Sequence, residues 1–163
     1  MAVAISVDGL ATIKVATPTG GTLETLGQTM NGVEITEQVF NLPVYADENG
    51  GDAGPPCDVQ YMGEAHRIRL LLTKWDEAVL DKIRAVIASG TAGTPATAGT
   101  LAFGTSNLFR LLIHTPLLPR NYIAATFFEP REINKGTKHS QALVQAVCYK
   151  DPTTGVMYNT TTI

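Results

Sequence analysis

The sequence predicts a mainly β domain, a sandwich or barrel of about seven to nine short antiparallel strands flanked by one α-helix. Three observations predict it. Short β-branched or alternating segments recur along the chain, separated by turns rich in Gly, Pro and Asp. One stretch alone, about Trp75 to Ala88, carries an apolar stripe at helical spacing. The chain has 163 residues and no internal repeat, which fits a single domain over 1–163 with one core.

The first fifty residues read as strands. Val3 to Val7 alternates weakly, and Ala11 to Ala16 is β-branched; Asp8-Gly9 and Pro18 to Gly21 are turns. Val33 to Phe40 is the clearest strand here. Its Val33, Ile35 and Glu37 fall on one side, and Glu34, Thr36 and Gln38 on the other, the pattern of a half-buried strand with a wet face. The segment 46–57 is a loop by composition. Gly50-Gly51 and Pro55-Pro56 forbid regular structure, and Asp47, Glu48 and Asp52 keep it in water. The spacing of these acids does not match an EF-hand calcium loop.

Ala65 to Leu72 is a strand in which His66, Ile68, Leu70 and Leu72 share one face and Arg67 and Arg69 the other. A helix follows over about 75–88, with Thr73 as N-cap and Asp76 as its box partner. Trp75, Val79, Ile83, Val86 and Ile87 form the stripe, and Ser89-Gly90 ends it. The Gly-, Ala- and Thr-rich stretch 90–106 is a linker or loop. Strands follow at Leu108 to His114, Tyr122 to Phe128 and Gln141 to Lys150. Asp151-Pro152-Thr153-Thr154-Gly155 is a strong turn, with Val156 to Tyr158 expected back as a hairpin partner and 156–163 as an extension.

Composition limits the function. Charged residues are 17% of the chain, against roughly 25% in an average globular chain. That deficit points to a surface partly covered by other subunits. The net charge of −3 and the lack of a basic run argue against gripping nucleic acid, whose affinity comes from neutralising phosphates. No apolar run approaches the roughly 18 residues of a membrane span, and the N-terminus lacks the basic n-region of a signal peptide. Cys57 and Cys148 have no metal-ligand or redox spacing, so they read as two thiols. No GxSxG, HExxH or phosphate loop is present. His66, His114 and His139 lie far apart in sequence. The expectation is no enzyme, no cofactor and no metal site. The candidate subunit interface comprises Glu34, Thr36, Gln38, Arg67 and Arg69 on strand faces, with Asp47, Glu48 and Asp52 in the loop.

Two stretches carry a resemblance. Asp58-Val59-Gln60-Tyr61-Met62-Gly63-Glu64 runs into the strand HRIRLLLT and the helix WDEAVLDKI. Further on, Leu118-Pro119-Arg120-Asn121-Tyr122 and then Glu129 to Lys138 (EPREINKGTK) lead into a final long strand. These segments resemble the tail tube proteins of tailed bacteriophages. The resemblance implies a β-sandwich flanked by a helix, joined through its inner strands into rings, usually of six subunits. Such rings stack into a hollow tube through which DNA passes without specific binding, with a long loop or arm reaching between rings. It implies a virion location, with assembly in the host cytoplasm beside other tail or connector proteins. Head-tail connector, terminator and collar proteins share that fold, and a capsid decoration or cement protein is a further alternative.

Overall fold

The computed structural model describes residues 10–17, 20–45, 53–83, 108–115, 119–127, 132–136 and 140–160. Among the described residues there are seven strands and one helix: β1 (Ala11–Ala16), β2 (Glu24–Val44), β3 (Asp58–Trp75), α1 (Glu77–Lys82), β4 (Phe109–His114), β5 (Arg120–Phe127), β6 (Glu132–Asn134) and β7 (Gln141–Tyr149). Every pairing is antiparallel. The order β3-β2-β1-β4-β5-β7 closes because β7 also pairs with β3, from His66↔Cys148 to Leu72↔Ala142. The result is a six-stranded barrel. β6 lies along the start of β7, on the edge that β5 leaves open.

Period-two alternation builds the core. His66, Ile68, Leu70 and Leu72 of β3 point inward, as do Phe109, Leu111 and Ile113 of β4 and Ala142, Val144, Ala146 and Cys148 of β7. They meet Ile13, Val15, Leu26 and Tyr122 in one cluster. Closure removes sheet edges from the body of the fold. Two threonines sit in it without partners: the hydroxyls of Thr29 and Thr126 are buried and form no hydrogen bond. An unpaired buried hydroxyl costs about 1 kcal/mol or more, so Thr126→Val should raise the urea midpoint by the equivalent of about 1 kcal/mol.

The structure corrects several boundaries. The strand expected at 33–40 runs from Glu24 to Val44, and the one expected at 65–72 runs from Asp58 to Trp75. They pair with each other from Gly27↔Trp75 to Val44↔Asp58, which is why both outrun the apolar alternation. The helix starts at Glu77 instead of Trp75. The β2–β3 ladder holds Trp75 in the strand, and the Asp76 amide donates to the Leu26 carbonyl. Asp76, not Thr73, is the N-cap: its carboxylate accepts from the amides of Ala78 and Val79 at 2.9 and 3.2 Å. Val79, Leu80 and Ile83 bury the helix against the barrel.

Residues 156–158 do not return along β7. The carboxylate of Asp151 accepts from the amides of Thr153 and Thr154, and Gly155 takes φ +70° at the turn's end. The Thr154 hydroxyl, also bound to that carboxylate, holds it below the usual aspartate range. The chain then crosses to β5, where Asn121 and Asn159 exchange both backbone hydrogen bonds, at 2.9 and 3.1 Å. β6 stands where the sequence carried no strand assignment. The expected strand at 3–7, the helix end at 84–90, the linker at 90–106 and His139 lie outside the described residues.

Candidate assembly surface

The length of β2 and β3 has a consequence. β1 pairs with β2 no further than Thr29, and β7 pairs with β3 no nearer its start than His66. Past those points the two strands continue as a hairpin arm. Among the described residues no strand pairs with the outer edge of β2 from Met30 to Val44, about 50 Å at about 3.3 Å per residue. The arm is kinked by a bulge at Met62, where Phe40↔Gly63 is followed by Asn41↔Tyr61 and Gly63 takes φ +129°.

Both faces of the arm carry apolar side chains in water. Phe40, Leu42 and Val44 share a face and are 46%, 50% and 39% exposed. Val39, Val59 and Tyr61 sit on the opposite face, with Met62 in the bulge; all are exposed. Scattered exposed apolar residues need no explanation, but a contiguous apolar patch on a protruding element marks an interaction site. Pro43 refines its shape. The Val44 carbonyl accepts from the Cys57 amide, so the backbone groups of Val44 point toward β3 and those of Pro43 point away. Its missing donor costs the hairpin nothing and blunts the outer edge near the tip.

Polar contacts fix the arm's root on the barrel. Glu37 accepts from Arg120 of β5 at 3.3 Å. Lys150 donates to the Tyr61 hydroxyl at 3.2 Å and lies 5.1 Å from that ring's centre. Each such exposed contact is worth about 1 kcal/mol or less, and together they set the arm's direction more than its stability.

The residues singled out in the sequence are partly gathered by this arrangement. Glu34 pairs across the ladder with Arg69, and Thr36 with Arg67, so the two strand faces are one. Arg69 and Glu34 form an ion pair at 3.4 Å between exposed side chains. With Gln145 of β7 these four line a shallow recess of about 120 Å³ on the outside of the barrel. Gln38, opposite Ala65, extends the same face to the arm's root. Asp47, Glu48 and Asp52 lie outside the described residues.

Sequence reasoning missed the apolar stripe that continues this face. Glu34, Thr36 and Gln38 share their side of β2 with Phe40, Leu42 and Val44, so one strand face changes from polar to apolar as it leaves the barrel. The alternation Phe40-Asn41-Leu42-Pro43-Val44 was its signal.

Among the described residues no group of three or more His, Cys, Asp or Glu could hold a metal ion, and no helix is long and apolar enough to cross a membrane. Comparisons with protein-family models, with curated proteins and with solved structures find no match to this chain.

Proposed function

We propose that this chain is a virion structural protein of the tail tube type, which assembles with copies of itself into rings that stack into a hollow tube for DNA. One observation carries the reading: a hairpin arm whose outer edge pairs with no strand among the described residues, and which has apolar residues on both faces, projects from an otherwise closed barrel. An exposed β edge is a template for pairing with another chain, and proteins that remain monomeric blunt or cover it. Among the described residues, Pro43 blunts the tip and nothing covers the rest of the edge. A strand added along Val33 to Leu42 would gain main-chain hydrogen bonds and cover the apolar stripe at once.

The polar face beside the stripe supplies the rim of such an interface, with Glu34, Thr36, Gln38, Arg67 and Arg69 around the apolar centre formed by Phe40 and Leu42. The low charge content of the chain and its resemblance to tail tube proteins support the same reading. DNA would slide through a mildly acidic tube without being held, since net charge of its own sign repels it. Negative-stain electron microscopy, with the mass in solution, tests the proposal. Rings or tubes with a central hole are the expected result. A stable monomer or trimer that binds only to preformed capsids would replace it with a decoration or cement role.

A further inference from the structure

At the root of the arm lies a buried cluster that assembly does not require. His66 and Tyr122 are 4% and 0% exposed, and the His66 Nδ1 is 3.1 Å from the Tyr122 hydroxyl. Arg120 donates to that same hydroxyl at 3.4 Å, pairs with Glu37, and lies 4.6 Å from the ring centre of Tyr158. Tyr158 in turn packs on His66 and Tyr122, with ring centres 5.9 and 5.4 Å apart. Arg120 therefore touches both the C-terminal segment, through Tyr158, and the arm, through Glu37. Met157, buried in the core, and the Asn121–Asn159 bridge complete the attachment of this segment.

We propose that Val156 to Thr160 is a strap latched across the arm end of the barrel, and that a proton arriving on His66 opens the strap and loosens the root of the arm. The donor count gives the reason. Arginine can only donate, so the Tyr122 oxygen accepts from Arg120 and passes its one proton toward His66. Nδ1 is the acceptor within reach of that proton, and it accepts only in a neutral ring whose own proton sits on Nε2. A protonated ring turns Nδ1 into a donor. Two donors, Arg120 and His66, then converge on the phenol oxygen, the Tyr122 proton loses its acceptor, and two cations flank a buried phenol.

Every neighbouring element faces His66. β2 offers Glu37, its own strand Glu64, β5 Arg120 and Tyr122, β7 Cys148, and the strap Tyr158. Burial disfavours the charged ring most; Glu37 and Glu64 oppose it and Arg120 adds to it, and the His66 pKa falls below its usual value. Burial also raises Tyr122 to about 12 and Cys148 well above its usual value, so both stay neutral. The sign follows. A lowered folded-state pKa means that the latch has its full stability above the unfolded value of about 6.5 and loses it as pH falls below that. The latch is a property of the single subunit, so it stands or falls separately from the tube.

Hydrogen exchange read by mass spectrometry tests it, with rates corrected for the intrinsic effect of pH. The amides of Asn121 and Asn159 report the strap, and those of Phe40 and Leu42, which point toward β3, report the arm. Between about pH 8 and about pH 5, all should exchange roughly tenfold faster or more in the wild type. In His66→Gln, whose amide oxygen accepts from Tyr122 but takes no proton, that response should vanish. Tyr158→Ala should show the fast exchange already at the higher pH. Equal corrected rates at both pH values in the wild type would overturn the proposal, as would an unchanged response in His66→Gln. Should His66→Gln not fold, slow exchange of the bridge and the arm in Tyr158→Ala at the higher pH overturns it alone.

Discussion

Phe40→Asp combined with Leu42→Asp should leave the barrel folded and abolish assembly. Both side chains project from the arm into solvent at about half exposure, so the single subunit gains little by holding them. Replacing them leaves the core cluster around Ile68, Leu70 and Tyr122 untouched, and the midpoint of thermal unfolding should move by no more than a few degrees. In an assembly the same positions would be central and dry. Truncating a central apolar anchor costs about 2 kcal/mol or more, and each aspartate adds the cost of burying an unpaired charge. Two such sites amount to about 4 kcal/mol per contact, a roughly thousandfold loss of affinity. Sedimentation of the variant beside the wild type reads the outcome. Assembly at wild-type concentrations would show that the arm's stripe lies outside the interface and would sink the proposed role of the arm.

A milder change on the polar face separates centre from rim. Arg69 already has Glu34 beside it at 3.4 Å, in water, and such pairs contribute about 1 kcal/mol at most. In the proposed interface Arg67 and Arg69 would adjust the contact, whereas Phe40 and Leu42 would drive it.

What could be read from the residues follows from where burial acts. Between 65 and 72 one face is packed and the other wet, so the alternation of HRIRLLL gave the strand and its inward face correctly. Beyond Gln38 neither face of the arm is buried in the single chain, so the alternation from Phe40 to Val44 marks exposed positions and not a core face. The arm was legible only through its exposed apolar residues, which look like core residues until the barrel is known to end. Glu34 and Arg69 were legible as polar positions, but their union depended on a β2–β3 register that joins residues 35 apart in sequence. His66 was legible as a position on the inward face of its strand, and it is buried there. Its partner Tyr122 lies 56 residues away, and the role of Arg120 rests on three neighbours from three separate segments.

Gly27→Ala should be strongly destabilising for so small a change. Gly27 stands where β2 is paired on both sides, with Ile13 of β1 and Trp75 of β3. Both ladders shift register next to it, between Ile13 and Lys14 on one side and between Gln28 and Thr29 on the other. The strands come so close there that a methyl group on Gly27 would lie 2.2 Å from the Lys74 carbonyl oxygen and 3.0 Å from the Trp75 Cα. Those atoms are backbone and cannot rotate away, so the ladder itself has to move. Overpacking of this kind costs about 3 kcal/mol, which in a domain of this size lowers the unfolding midpoint by roughly 10 °C. The urea slope should stay unchanged, because the surface exposed on unfolding is the same. Gly20→Ala is the control: a methyl group there meets nothing within 4 Å and should be neutral. If Gly27→Ala were as neutral as Gly20→Ala, β2 and β3 would not approach each other at Trp75 as closely as the 2.2 Å contact requires.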